Sequence, residues 1–97
     1  MNRGPGASAV AEPPSLIEYP SPFPIKVMGA NVEGFVQAMI DVAREFDPGL
    51  DTELVSTRLS KAGNYLGVTI TITATSRAQL DALYRALTSH PLVKVVL

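Results

Sequence analysis

The stretch Tyr-Leu-Gly-Val-Thr-Ile-Thr-Ile-Thr-Ala at residues 65–74 decides the fold. Its apolar side chains alternate strictly with polar or small ones, and the apolar set is Leu66, Val68, Ile70, Ile72 and Ala74. Such alternation is typical of a β-strand with one buried face, because successive side chains point to opposite sides of a sheet. The stretch therefore predicts a sheet that is covered on one side and open on the other.

A hairpin turn is predicted just before this strand, at residues 61–64, because glycine and asparagine tolerate positive φ. Residues 50–60 contain β-branched side chains and no helical stripe, which predicts a second strand. Charges at Asp51, Glu53 and Arg58 indicate an edge strand, since charged side chains deter pairing with other molecules.

A strand and a helix are predicted on the N-terminal side of the hairpin. Phe23, Ile25 and Val27 share one face of a strand that follows a proline-rich, extended run. Asn31 is expected to cap a helix that ends at the Asp-Pro-Gly turn of residues 47–49. The apolar stripe of this helix comprises Val32, Phe35, Val36, Met39, Ile40 and Ala43.

A second helix and a last strand are predicted after residue 74. Ser76 and Gln79 have the spacing of a capping box, and leucines at helical spacing follow as far as His90 and Pro91. Residues 92–97 are rich in valine and predict a fourth strand, with Val93, Val95 and Leu97 on one side.

The element order β, α, β, β, α, β predicts an α+β fold, the ferredoxin-like sandwich. We expect a four-stranded antiparallel sheet in the order 4-1-3-2 with two helices on one face. Residues 16–97 would form this single domain, and residues 1–15, rich in proline and glycine, would form a disordered tail. The open sheet face would carry Lys26, Met28, Tyr65, Thr69, Thr71, Thr73 and Lys94.

Composition excludes several function classes. A net charge of −1 and a charged fraction of 18% leave no broad positive field, so a general nucleic-acid binder is disfavoured. The chain has no cysteine, which excludes disulfides, thiolate nucleophiles and iron–sulfur clusters. No cofactor, membrane helix or secretory signal is predicted, and the cytoplasm is the expected location.

No catalytic or metal-binding residue is predicted. Ser89 and His90 are adjacent at a helix end, where neighbouring side chains rarely orient for proton transfer, so His90 is interpreted as part of a helix terminator. A group of acidic residues around the first helix end lacks the spacing of an EF-hand loop and is interpreted as a solvated turn. Its members are Glu45, Asp47, Asp51 and Glu53.

Two places are candidates for binding. Gly29, Ala30 and Asn31 lie between a strand and a helix N-terminus, where free amides can receive an anion, although ordinary turn chemistry also explains them. The open sheet face is either a wet surface or the face that meets a ligand or partner. An RNA platform would need aromatic residues on central strands, and only Tyr65 qualifies, at a strand end.

Four segments resemble the YbeD family of small bacterial cytoplasmic proteins. They are residues 18–29, residues 60–65, residues 73–84 and residues 90–97. The family's fold is similar to the ACT domain, a regulatory module that binds small effectors such as amino acids. The resemblance implies an effector site at the loop of residues 29–31 together with a dimer partner, and it carries no enzyme activity to transfer.

These observations rank three hypotheses. The first is a non-enzymatic regulatory or adaptor domain that binds a small metabolite or a protein partner, with a homodimer as the expected assembly. The second is a nucleic-acid-binding sheet that uses Lys26, Arg58, Lys61 and Lys94. The third is an enzyme that relies on substrate-assisted chemistry or on a second chain.

Overall fold

A computed structural model describes residues 18–97, so the predicted tail of residues 1–15 and the predicted domain start at residue 16 lie outside it. The elements are β1 (Ser21–Ala30), α1 (Phe35–Phe46), a 3-10 turn (Thr52–Leu54), β2 (Ser56–Leu59), β3 (Tyr65–Ala74), α2 (Arg77–Thr88) and β4 (Val93–Val96). The strands pair antiparallel in the order β2-β3-β1-β4, which is the predicted 4-1-3-2 counted from the other edge. The predicted ferredoxin-like fold is confirmed.

The core lies between the helices and one face of the sheet. Both helices pack on the face that carries Val27, Val68 and Ile70, each at most 2% exposed. From the helices, Phe35 and Leu83 are buried against them at 0% and 1% exposed. Among residues 18–97, neither helix has the length and apolarity needed to cross a membrane.

The proline-rich run lies within β1 itself. Lys26 donates its backbone N–H to Leu97 O at 3.4 Å, on the side of β1 that faces β4. Pro22 and Pro24 precede Lys26 by four and two positions, and residues two apart in a strand direct their backbone groups to the same side. The nitrogens of both prolines therefore also face the β4 side. The hydrogen bonds on the β4 side of β1 begin at Lys26, after both prolines. Prolines are therefore tolerated in β1 because no ladder bond is lost there.

The start of α1 differs from the prediction. The N-cap is Gly34, with φ of 88°, and Asn31 does not cap the helix. Instead Asn31 Nδ2 donates to Gly63 O at 3.0 Å, and its backbone N–H donates to Asn64 O at 3.0 Å. These bonds hold Asn31 against the hairpin, so Val32, predicted in the buried stripe, is 44% exposed.

The predicted strand of residues 50–60 is also wrong in its first half. Asp51 Oδ1 accepts the Glu53 N–H at 2.9 Å, and this local bond favours a turn over extended backbone. The chain forms the 3-10 turn there and becomes extended only at Ser56. Arg58 is therefore the one charged residue of β2, since Asp51 and Glu53 precede the strand.

The expected single side for Val93, Val95 and Leu97 is wrong, because β4 contains a register shift. Met28 pairs with Val95 and Gly29 with Val93, which leaves Lys94 without a partner in β1. Such a bulge adds one residue to the strand, so the side chains on its two sides exchange the faces of the sheet that they would otherwise occupy. As a result Val93 packs on the core, whereas Val95 lies on the open face and is 45% exposed.

The capping box of α2 is present in a modified form. Ser76 Oγ accepts the Gln79 N–H at 3.0 Å, as predicted. The Gln79 side chain reaches back to Thr75, whose N–H donates to Oε1 at 2.7 Å. Its Nε2 also donates to Phe46 O at 2.8 Å and to Thr73 O at 3.1 Å. Gln79 therefore joins α2 to the ends of α1 and β3.

Candidate functional site: a groove on the open sheet face

The face of the sheet opposite the helices is organised in rows that run across the strands. In one row, Lys26 of β1 lies beside Thr69 of β3, which lies beside Ser56 of β2. In the next row, Met28 and Arg58 lie on either side of Gly67. Side chains alternate between the two faces of a sheet, and this alternation places cationic, hydroxyl and small residues on one surface.

A groove of about 420 Å³ lies along these rows. Small-molecule sites commonly enclose between about 300 and 1,000 Å³, so the groove has room for a metabolite. Its lining residues come from β1, β2, β3 and the start of the hairpin: Lys26, Met28, Ser56, Thr57, Arg58, Leu59, Ser60, Gly67 and Thr69.

Gly67 forms the floor of the groove because it has no side chain. A Cβ at this position would have ordinary contacts, at 3.6 Å from Arg58 O and 3.9 Å from Met28 Cε. A small side chain would therefore fit above Gly67 in ordinary contact with these two neighbours. A glycine inside a strand often marks such a place of close approach.

The charges around the groove have one sign. Lys26 and Arg58 are its charged lining residues, and no Asp or Glu of the described part of the chain lines it. The ion pair found within residues 18–97 joins Arg77 to Asp81 on α2, so no described carboxylate neutralises Lys26 or Arg58. The groove therefore favours an anion.

Hydroxyl groups supplement the two cations. Ser56, Ser60 and Thr69 line the groove, whereas Thr57 pairs with Val68 and carries its hydroxyl on the helix side of the sheet. Ser60 Oγ accepts the Tyr65 N–H at 3.0 Å, which fixes this hydroxyl at the hairpin end. A hydroxyl that accepts a bond can still donate its own hydrogen, so these groups offer donors to an anion.

The structure brings together part of the predicted open face. Lys26, Met28 and Thr69 line the groove, whereas Tyr65 and Thr71 lie on the same face of β3 beyond it. Thr73 also lies on that face, opposite Pro22. Lys94 lies in the β4 bulge and does not line the groove.

Sequence reasoning did not assign Gly67 and most of β2 to this face. The sequence predicts Arg58 as an edge-strand charge and as a candidate for nucleic-acid binding, and it assigns no role on this face to Ser56 or Ser60. The isolated glycine in an otherwise regular alternation was the available signal for the floor. The contribution of β2 depends on its register with β3, which the sequence does not show.

The loop of Gly29, Ala30 and Asn31 is occupied by internal contacts. A Cβ at Gly29 would collide with the Leu92 carbonyl oxygen and would lie 2.6 Å from Phe35 Cε1. The backbone N–H of Val32 donates to Ala30 O at 2.9 Å. These contacts account for the residue types at the loop, and effector binding there stays a prediction.

The remaining polar candidates also have local partners. His90 Nδ1 accepts the Leu92 N–H at 3.1 Å, and Asp47 Oδ2 accepts the Thr73 N–H at 2.9 Å. Within residues 18–97, no three His, Asp or Glu side chains are grouped closely enough to hold a metal ion. Burial raises the pKa of the Tyr84 hydroxyl, which belongs to α2 in the helical layer.

Comparisons with known proteins identify the family of the chain. A family model described as a protein of unknown function, DUF493, matches residues 14–97. A protein of Leptothrix cholodnii, named as a UPF0250 protein, is 66% identical over 83 residues, which are 86% of this chain and 91% of that protein. A UPF0250 protein of Ralstonia nicotianae is 57% identical over 89 residues, which are 90% of this chain and 92% of that protein. The chain therefore belongs to the DUF493 family, as its resemblance to YbeD-type proteins predicts.

Proposed function

We propose that this protein is a non-enzymatic regulatory domain of the cytoplasm that binds a small anionic metabolite in the groove of the open sheet face. The observation that carries the proposal is the groove itself, with Lys26 and Arg58 on its walls and Gly67 as its floor. A metabolite with a carboxylate or phosphate group fits this combination of charge and size.

The two cations have different roles in this proposal. The Arg58 guanidinium is planar and binds a carboxylate or phosphate through two parallel hydrogen bonds. The Lys26 ammonium is a compact charge that adds attraction without fixing an orientation. Met28 lies next to Gly67 and supplies an apolar contact for the carbon skeleton of the ligand.

The lining residues favour binding over catalysis. A serine or threonine nucleophile needs a base within hydrogen-bond reach, usually a histidine held by an acid. In the portion of the chain that the structure describes, neither His90 nor a carboxylate lines the groove. The hydroxyls therefore act in this proposal as hydrogen-bond donors to the ligand.

Thermal unfolding with added anions tests this function. The full chain is screened against inorganic phosphate, citrate, amino acids and nucleoside monophosphates at constant ionic strength. A ligand present at 100 times its dissociation constant should stabilise the protein by about 2.7 kcal/mol. Lys26→Gln and Arg58→Gln should each reduce that stabilisation, and Gly67→Val should block the groove with a side chain.

Arg44→Gln is the matched control, because it removes one positive charge from α1, outside the groove. Loss of stabilisation with Lys26→Gln and Arg58→Gln but not with Arg44→Gln would support the proposal. Equal effects of all three substitutions would contradict it, because only net charge would then matter. Binding of single-stranded RNA with a steep salt dependence, in place of any metabolite, would also contradict it.

A further inference from the structure

The outer edge of β2 presents backbone groups that have no partner among residues 18–97. Ser60 donates its N–H to Tyr65 O at 2.9 Å, so this pair belongs to the hydrogen-bonded set of the hairpin. Hydrogen-bonded pairs alternate along an antiparallel ladder, which assigns Arg58 and Ser56 to the same set. The N–H and C=O groups of Thr57 and Leu59 therefore point away from β3.

The opposite edge of the sheet has more protection than this one, where Arg58 is the single charge. β4 carries a bulge at Lys94, and a bulge and a lysine are both devices that prevent further pairing. Over Ser56–Leu59, β2 has neither a bulge nor a proline. The acidic residues Asp51 and Glu53 are expected from the sequence to deter pairing at this edge, but they precede the strand.

Two exposed leucines accompany this edge. Leu54 is 55% exposed and Leu59 is 52% exposed, and Leu59 pairs with Leu66 on the helix side of the sheet. On the other side of β2, Arg58 lies beside the groove. An added strand would thus meet apolar surface on one face and a positive charge on the other.

We propose that the edge of β2 binds an extended segment of a partner protein, which adds a fifth strand to the sheet. The segment alternates apolar side chains, which cover Leu54 and Leu59, with an acidic side chain beside Arg58. Backbone hydrogen bonds to Thr57 and Leu59 supply affinity, and the alternating side chains supply specificity.

A second copy of the chain fits this edge less well. If two β2 strands paired antiparallel about Arg58, the two guanidinium groups would lie directly opposite each other, which is destabilising. If they paired about Thr57, Arg58 would lie beside Ser56 and would have no acidic partner in the added strand. A foreign segment with a carboxylate satisfies Arg58 in either strand direction.

Synthetic peptides test the proposal. The probes are peptides of about eight residues that alternate leucine or valine with glutamate, together with the same peptides carrying lysine in place of glutamate. Amide chemical shifts of the isotope-labelled full chain locate the binding site. We expect the glutamate peptides to bind, the lysine peptides to bind more weakly, and the amides of Thr57 and Leu59 to shift most.

Edge variants make the result specific. Thr57→Pro removes an outward N–H, and Leu59→Lys places a charge on the edge without altering the backbone. Each should weaken binding about tenfold, as expected for a lost hydrogen bond or apolar contact. Val95→Lys places the same charge on the opposite edge strand and should leave the affinity unchanged.

Three results would overturn the proposal. The first is that none of the peptides binds, and the second is that the shifted amides lie on β1 or on the helices instead of on β2. The third is that Thr57 and Leu59 shift with protein concentration alone while sedimentation shows a dimer, since a second copy would then occupy the edge. The proposal concerns the backbone edge of β2, so failure to find a groove ligand would not affect it.

Discussion

Gly29 shows how one missing side chain determines the packing of three elements. A Cβ there would lie 2.6 Å from Phe35 Cε1 at the start of α1 and would collide with the Leu92 carbonyl just before β4. Phe35 is fully buried, and a backbone carbonyl cannot rotate away as a flexible side chain does. The close approach of α1 and β4 to β1 therefore requires glycine at this position.

We predict that Gly29→Ala destabilises the protein by about 1–3 kcal/mol, the usual cost of overpacking a core. Urea denaturation followed by circular dichroism measures this change. Gly49→Ala is the matched control, because its Cβ would have one ordinary contact, at 3.8 Å from Asp47 Oδ1. That substitution should change the stability by less than about 0.5 kcal/mol. Equal effects of the two substitutions would show that the approach at Gly29 is not tight.

At the scale of the elements, Gln79 is the residue that connects most of them. Its side chain accepts one hydrogen bond from the backbone of residue 75 and donates to the carbonyls of Phe46 and Thr73. Asp47 adds a bond from its carboxylate to the Thr73 N–H. The end of α1, the end of β3 and the start of α2 are thereby held together through side-chain to backbone bonds.

We predict that Gln79→Ala destabilises the protein by about 2–3 kcal/mol, because it leaves three backbone groups without this partner. Gln79→Glu should also destabilise it, since a carboxylate oxygen would face two carbonyl oxygens. Gln37→Ala is the control, because Gln37 makes an exposed bond to Asp41 one turn away, worth about 0.2–0.5 kcal/mol. Chemical denaturation of the four proteins measures these differences, and a cost for Gln79→Ala as small as that of the control would contradict the role of Gln79.

Elements with strong local signals were predictable from the sequence, and those set by distant contacts were not. The alternation in β3 and the Ser76 cap are encoded by neighbouring residues, so they could be read directly. The bulge at Lys94 is a property of the pairing between β4 and β1, and no residue type in β4 predicts it. Asn31 stands just before a helical pattern, which predicts a helix cap. Its actual hydrogen-bond partner, Gly63, lies 32 positions away and cannot be found from the neighbouring residues.

The candidate site follows the same rule. Parity along β1 and β3 places Lys26, Met28 and Thr69 on the open face, and these residues could be assigned from the sequence. The position of Arg58 beside Gly67 depends on the register between β2 and β3. Since the 3-10 turn shortens the predicted second strand, that register could not be derived from residues 50–60 alone.

At the scale of the whole molecule, the buried residues among positions 18–97 form one cluster that includes both α-helices and both central strands. Met39 of α1 and Leu83 of α2 are 0% and 1% exposed within it. A single shared core predicts cooperative unfolding without a populated intermediate. We expect Met39→Ala and Leu83→Ala each to cost about 2–5 kcal/mol, the usual range for such truncations, within one transition.

The binding face stands apart from that core, and this separation gives the last test. Far-ultraviolet circular dichroism reports the backbone, and tyrosine fluorescence reports the packing, since the chain has no tryptophan. Both signals should give one midpoint in urea, lowered equally by Met39→Ala. Lys26→Gln and Arg58→Gln should leave that midpoint unchanged, because both side chains are exposed on the face opposite the helices. Two separate midpoints would contradict the single core. A large loss of stability from either charge substitution would mean that these residues serve the fold, and their role in binding an anion would then lose its main support.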